Sequence, residues 1–406
     1  MSDTNPVVTI GIPSYNCAGF VGEAVSSALS QDYRDLEVLV VDDASTDGTL
    51  EVLAGFDDPR LRVMVNEVNL GPGRNWNKVL DESRGRYVKV MGCDDVLTPG
   101  SVSAQVGVLD AYPDVVLVTG PRILITESGR RLMRRGTGGI RGLANGPVAG
   151  RAMIRRGSNL VGEPVAHLLR KSALDQVGGY HEGNPYCIDM ELALRLLEVG
   201  DLYVLDKPVA CFRIVGASWS AAVAQTQDSD VIALLHEMTA RGAFGTSMVD
   251  AVDGAHYARR LAVGRRLVYK ALFDEEFHRQ IRYLLVGGWN TLFGYLSFAF
   301  FYWLLAENMG QSSATALVVS YIPAILNAYF GYRLFVFRSR NKFIKEFPRF
   351  SIVYVVALGI NILVFPWLMN TLRLNPYVSQ ALFTVALVIG TYIVNRTFSF
   401  RQDATA

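Results

Sequence analysis

Residues 36–49, LEVLVVDDASTDGT, read as an apolar strand that stops in two adjacent acids and a polar turn. Near-continuous Leu and Val suit a strand buried on both faces of a parallel sheet. Working outward, VVTIGI (7–12) is a similar strand, and VGEAVSSALSQ (21–31) is the helix joining the two. Downstream follow a helix in GTLEVLAGF (48–56), a strand in RLRVMVN (60–66), a helix in GRNWNKVLDESRG (73–85) and a fourth strand in RYVKVMG (86–92). Such alternation predicts an α/β domain with a parallel sheet and helices on both faces. Ligands of such sheets bind beyond the carboxyl ends of the strands.

Those ends carry the polar residues. Strand one runs into Pro13–Asn16, strand two into Asp42–Thr49, strand three into Asn66–Arg74 and strand four into Cys93-Asp94-Asp95. Turn chemistry explains single Asp, Asn or Gly residues there. It explains doubled carboxylates less well. Two close acids repel, and one tends to stay protonated unless a cation compensates. A hard divalent ion with oxygen ligands, Mg²⁺ or Mn²⁺, meets that need, and Asp94 and Asp95 are its expected ligands. An ion that also holds a diphosphate stabilises charge on a leaving group. The chain has neither a Walker-type loop nor a G-x-G-x-x-G after strand one, which argues against P-loop phosphoryl transfer and a dinucleotide enzyme.

The 406-residue chain has a formal net charge of only +1, so it lacks the basic field of a nucleic-acid binder. Its four cysteines, Cys17, Cys93, Cys187 and Cys211, match no metal-ligand spacing and read as free thiols in a reducing compartment. MSDTNPVVTI has no basic region followed by an apolar core, so no signal peptide is expected.

From residue 283 the pattern changes. Tyr283–Ala306, Ala314–Tyr332, Ser351–Leu372 and Leu374–Asn395 contain no Asp, Glu, Lys or Arg. Each has about the 20 residues that cross a bilayer as a helix. We expect helices at about 283–306, 314–336, 351–372 and 374–395, hence an all-α four-helix membrane domain over 281–406. The loop ENMGQSS is uncharged on the positive side, whereas RLFVFRSRNKFIKEFPR is strongly basic. The positive-inside bias places both termini, and with them residues 1–220, in the cytoplasm. Residues 221–280 form a helical linker in which Leu261, Val263, Leu267 and Leu272 alternate with Arg259, Arg260, Arg265, Arg266 and Lys270. That helix either lies on an anionic membrane surface or packs, solvated, on the soluble domain.

The stretch TIGIPSYNCAGFVGEAVSSALSQDYRDLEVLVVDDASTDGT, with NLGPGRNWNKVLDESRGRYVKVMGCDDVLTPG and GEPVAHLLRKSALDQVGGYHEGNPYCIDMELALRLLEVG, resembles glycosyltransferase family 2, of GT-A fold. The resemblance implies that Pro13, Tyr15 and Asn16 line a nucleotide pocket. It implies that Asp43 accepts a hydrogen bond from the base, supported by Asp42 and Ser45. By the same resemblance, Gly71 lets the chain approach the nucleotide, Arg74 contacts base or phosphate, and Asp94 meets the metal. Asp189 matches the catalytic base of inverting members; helix capping is its simpler role. Two positions depart from the family pattern: Gly92 stands where an Asp often precedes the doublet, and Val215 stands where many members carry His.

QIRYLLVGGWNTLFGYL, LNAYFGYRLFVFRSR and YIVNRTFSF resemble GtrA-like membrane domains, which accompany enzymes of polyprenyl-phosphate-linked sugars. The combined resemblance implies a membrane-bound, metal-dependent, inverting glycosyltransferase of the inner or plasma membrane. It would move a sugar from a UDP- or GDP-sugar to a lipid acceptor, polyprenyl phosphate first. Arg170 and Lys171, or Arg130, Arg131, Arg134 and Arg135, are candidates to hold an acceptor phosphate. Extension of a lipid-linked or cell-surface glycan is an alternative; so is a non-catalytic nucleotide-sugar sensor coupled to a lipid-sugar flippase. The oligomeric state stays open, a homo-oligomer included. Asn290, Asn327 and Asn395 either contact a lipid head group or bridge helices.

Overall fold

A computed structural model describes residues 5–183, 185–216, 226–338, 343–372 and 374–383. The chain divides into two units, residues 1–269 and 270–406.

The first unit is built on an eight-stranded sheet. Strands β1 (Val8–Ser14), β2 (Leu36–Asp42), β3 (Leu61–Val65) and β4 (Tyr87–Val90) lie parallel in the order β3-β2-β1-β4. Every residue of β1 and β2 is buried, which is what their unbroken apolar runs require. Helices α1 (Val21–Leu29), α2 (Thr49–Ala54) and α3 (Pro72–Glu82) make the connections. The two sheet faces carry separate cores. Val38 and Val40 pack with Val21 and Leu53 on one side, and Leu39 and Val41 with Val79 and Leu80 on the other. Helix α3 sits so close to β1 that a Cβ at Gly11 would fall 2.1 Å from Val79 Cγ1.

Beyond β4 the chain leaves the simple alternation. It continues through β5 (Val96–Leu97), α4 (Ser101–Ala111), β6 (Val115–Thr119), β7 (Arg122–Thr126), β8 (Arg131–Arg135) and β9 (Gly142–Ala144). Then come α5 (Gly146–Arg156), β10 (Leu168–Arg170), α6 (Lys171–Val177), α7 (Ile188–Val199), β11 (Asp201–Val204) and β12 (Ala210–Ile214). Strand β10 inserts antiparallel between β4 and β6, so the main sheet is mixed past its parallel half. A second sheet, in the order β5-β12-β7-β8, grows from the residues just after Asp95. The α/β expectation therefore holds, with an added small sheet that the sequence pattern did not predict.

Two helices, Gln227–Ala240 and Met248–Phe273, follow. The second buries Ala251, Ala255, Ala258 and Ala262 and exposes Val263 and Leu267. Arg265 Nε donates to Gln227 Oε1 at 2.6 Å, and Arg266 pairs with Asp228 at 2.6 Å.

Among its described residues the second unit contains three helical runs long and apolar enough to cross a membrane: Glu275–Asn308, Ser313–Val336 and Glu346–Thr371. Of the fourth expected span, 374–395, only residues 374–383 are described, and Asn395 lies outside the described residues. Tyr283, Tyr329, Tyr332 and Phe350 form one buried aromatic cluster. Asn327 Nδ2 donates to Asn290 Oδ1 at 2.8 Å and Asn327 Oδ1 accepts from Trp289 Nε1 at 3.2 Å, so these two asparagines bridge neighbouring helices. Inside a membrane such bonds satisfy polar groups that lipid cannot.

Candidate functional site

Register brings the strand ends together. In β1 and β2, Ser14 is level with Asp42; Met91 N–H, just past β4, donates to Gly11 O at 3.0 Å. The loops leaving these ends are stitched to one another. Asn16 adopts φ +48, a left-handed conformation that Asn tolerates. Its N–H donates to Ser45 Oγ at 2.9 Å, and its Oδ1 accepts from Thr46 N–H at 2.8 Å. Tyr15, half exposed, stands beside it. Ser14 Oγ is buried with no hydrogen-bond partner among the described residues.

The first acid doublet is consumed by the protein itself. Asp42 accepts from Ser45 N–H at 2.8 Å and from Ser45 Oγ at 2.6 Å. Asp43 accepts from Asn66 Nδ2 at 2.7 Å, Leu70 N–H at 2.8 Å and Gly71 N–H at 2.9 Å. Asp43 thus shapes the 66–71 loop, and a base donor would have to share its oxygens with those groups. Gly71 has φ +84 with open space about it, so backbone conformation rather than crowding selects glycine there. A cleft beside this loop is lined by Leu70, Gly71, Arg74, Glu182 and Ile188, with Arg74 and Glu182 loosely paired at 3.7 Å on the surface.

The second doublet differs. Asp95 is buried and its Oδ1 accepts from Arg213 N–H at 2.9 Å. Among the described residues, none but Asp94 itself donates to the half-buried Asp94 carboxylate. A Cβ placed on Gly92 would lie 2.6 Å from Asp94 Oδ1 and 3.3 Å from Asp95 Oδ2, so these two oxygens flank one point above Gly92. Glycine at this position leaves the acids room to converge. Burial pushes both carboxyls up, and Asp94 raises Asp95 further. No group of three or more His, Cys, Asp or Glu side chains among the described residues is arranged to hold a metal. The pair nevertheless fits a hard cation: two converging, underused carboxylate oxygens whose charges repel in its absence. A cation here would take its other ligands from phosphate or water.

Asp189 lies in the first turn of α7. Its Oδ1 accepts from Met190 N–H at 2.7 Å and its Oδ2 from Asn159 Nδ2 at 2.9 Å. Burial, then the charge of Glu163, pushes its carboxyl up to about 6. Glu163 itself is held at about 2: burial opposes ionisation, but Arg122, Arg135 and the bond from Arg122 outweigh it. Glu163 acts electrostatically on both Asp95 and Asp189, so its charge is felt by the doublet and by the candidate base. Beneath the Glu163 loop, the buried Lys89 donates to Val165 O at 2.9 Å and His167 O at 2.7 Å; burial pushes its ammonium down to about 7.

Arg170 and Lys171 are not brought to this end. Because β10 runs antiparallel to β4, Arg170 is level with Tyr87, at the start of β4 rather than its tip. Its guanidinium donates to the carbonyls of Val115, Leu109 and Tyr112, and Lys171 pairs with Asp175 at 2.5 Å. Both expected acceptor-phosphate residues thus lie away from the strand tips and are bonded within the protein. Of the other basic candidates, Arg135 pairs with Glu163 at 3.4 Å and Arg134 donates to Asp206 O at 2.6 Å. Arg130 and Arg131 are exposed, the latter on the open edge strand β8. The sequence reading passed over Asn159, Glu163, Lys89 and Arg213. A charged residue within an apolar strand, as in VKV and FRI, was the available signal.

Residues 9–178 match the family described as glycosyl transferase family 2, and residues 282–400 match the GtrA/DPMS transmembrane domain. An uncharacterised protein of Mycobacterium tuberculosis is 28% identical over 204 residues, 48% of this chain and 64% of that protein. Chondroitin synthase of Escherichia coli is 31% identical over 208 residues, 50% of this chain and 28% of the synthase. The chain thus spans less than two thirds of either relative. The crystal structure of S. aureus TarS 1-349 in complex with UDP-GlcNAc superposes with a TM-score of 0.51 at 18% identity, covering 80% of this chain and 89% of that one, a likeness of fold.

Proposed function

We propose, from the premise that this chain joins a glycosyltransferase family 2 domain to a GtrA/DPMS transmembrane domain, that it transfers a sugar from a nucleotide-diphosphate donor to a membrane-held acceptor. The nucleotide lies across the β1–β3 tips. Pro13, Tyr15 and Asn16 line it, the loops built on Asp42, Ser45 and Asp43 shape its walls, and Gly71 and Arg74 flank it. Asp94 and Asp95 would hold a divalent cation, Mg²⁺ or Mn²⁺, which would supply positive charge against the departing diphosphate. Asp189 takes the proton of an acceptor hydroxyl as its oxygen bonds to the anomeric carbon. The carbon–oxygen bond to the nucleotide breaks, its electron pair leaves on the diphosphate, and a single displacement inverts the centre. The observation that carries this reading is the contrast in use: among the described residues Asp94 is left without donors from its neighbours, while Asp189 is half-buried with its carboxyl pushed up to about 6, close to the optimum for a base at neutral pH.

Polyprenyl phosphate is the acceptor that the GtrA/DPMS domain favours. Its phosphate is already anionic, so Asp189 then orients rather than deprotonates, and the exposed arginines of β8 supply the counter-charge. The similarity to chondroitin synthase favours a second reading, extension of a glycan through a hydroxyl. On either reading residues 1–220 face the cytoplasm, and the outer face of the helix Met248–Phe273 rests on anionic lipid. Membranes supplied with labelled UDP- or GDP-sugar, then extracted with organic solvent, test this. Mild-acid-labile lipid product supports the sugar phosphate, acid-stable product supports glycan extension, and no product with any donor refutes transfer.

A further inference from the structure

We propose that Arg213 is a positioning residue that presets the Asp94–Asp95 turn for its cation. The inference rests on the reading of those acids as the cation site. Arg213 lies on β12, with its side chain 2% exposed. Its backbone N–H occupies Asp95 Oδ1, and its Nε donates to the Asp94 carbonyl at 2.7 Å. One residue therefore grips the turn from both acids while touching neither of the oxygens that flank Gly92.

The rest of the guanidinium is anchored elsewhere. Nη1 donates to Glu127 O at 2.9 Å and Thr126 O at 3.3 Å, at the end of β7. Nη2 donates to Glu23 Oε2 at 2.5 Å, on α1 just past the Pro13–Asn16 loop. The Phe20 ring lies 5.2 Å below. Burying a guanidinium is costly unless every donor is used and a counter-charge is near. Here Nε, Nη1 and Nη2 each donate and Glu23 supplies the counter-charge, and the planar fork is what allows it; a lysine has no equivalent of Nε and two terminal nitrogens. The arrangement fixes the backbone at Asp94, and with it the direction in which the Asp94 carboxylate leaves the chain. It also places a positive charge beside two acids that repel, without consuming the oxygens a cation needs. Loss of the fork frees the turn to relax apart, which weakens the cation more than the nucleotide loops.

The test is Mn²⁺ binding to the full chain in lipid nanodiscs, followed by electron paramagnetic resonance with UDP or GDP present. The variants are Arg213→Lys, Glu23→Gln and Asp94→Asn. Outer partners of metal ligands typically contribute about 10–100-fold in affinity, so Arg213→Lys is expected to weaken Mn²⁺ by about that factor. Its donor KM at saturating Mn²⁺ should stay within about threefold of the parent, a split that a merely structural loss would not produce. Glu23→Gln, on a largely exposed partner, leaves the core intact and is expected to weaken Mn²⁺ by a smaller factor in the same direction. If the parent binds Mn²⁺ and Asp94→Asn does not, but both other variants bind as the parent does, the role of Arg213 is overturned while the cation site stands. If the parent itself binds no Mn²⁺, the reading of the acids fails. Should Arg213→Lys not fold, Glu23→Gln alone decides, and unchanged affinity overturns the proposal.

Discussion

Two aspartate doublets end neighbouring regions of one sheet, and they are used differently. Asp42 and Asp43 accept five hydrogen bonds from Ser45, Asn66, Leu70 and Gly71. Asp94 and Asp95 accept one from elsewhere among the described residues, the Arg213 N–H. A carboxylate surrounded by N–H groups is already neutralised by the chain and stabilises a loop. A pair left with converging, underused oxygens is stable only as a site for something positive, or with a proton retained. The same dipeptide is thus a building element at one tip and a binding element at the other, and only the neighbours distinguish them.

The largest expected effect follows from breaking the second doublet. Asp94→Asn should reduce kcat/KM for transfer by about 10³-fold, roughly 4 kcal/mol of transition-state stabilisation, with the protein still inserted in membranes. Titration of the rate with Mn²⁺ checks this; a variant with parental turnover removes the cation assignment. Next comes Asp189→Asn, which with a hydroxyl acceptor should lose about 10²–10⁴-fold in kcat. In the parent the base must be ionised, so kcat should rise with pH through about 6. A flat profile from pH 5 to 8 would argue that the acceptor is an anion needing no base.

Breaking the first doublet should act on binding and stability rather than chemistry. Asp43→Asn leaves the Leu70 and Gly71 N–H groups poorly satisfied, at a cost of about 1–3 kcal/mol in stability. Donor KM should rise while Mn²⁺ affinity at saturating nucleotide holds, as measured by thermal unfolding and initial rates. A subtler change sharpens the link between the doublet and the base. Glu163→Gln removes a negative charge that raises Asp189, so the acid limb of the rate profile should move to lower pH. The smallest effect on transfer is expected from Arg170→Ala. It removes donors to three carbonyls and lowers thermal stability, but acceptor KM should be unchanged.

How much of this was legible follows from distance along the chain. The parallel half of the sheet was readable because β1 and β2 are unbroken apolar runs separated by helical patterns. The second sheet was not, since β5 has two residues and β12 meets it from over a hundred positions away. The bond from Arg213 to Asp95 spans 118 residues, so local spacing carries no trace of it. The place of Arg170 was hidden for a related reason: a basic residue after an apolar strand indicates charge, but the antiparallel insertion of β10 decides which end of the sheet receives it. The doublets themselves were visible as doublets. Their division of labour was not, because it depends on Leu70, Gly71 and Arg213, whose backbone N–H groups leave no signature in residue type.

The account turns on Asp94 and Asp95 binding a divalent cation together with a nucleoside diphosphate. The most direct measurement is calorimetric titration of Mn²⁺ into the full chain with and without UDP or GDP, beside Asp94→Asn and Asp43→Asn. Nucleotide-dependent binding of one Mn²⁺ that survives Asp43→Asn and disappears in Asp94→Asn is the predicted result. Equal Mn²⁺ binding by Asp94→Asn and the parent would contradict it.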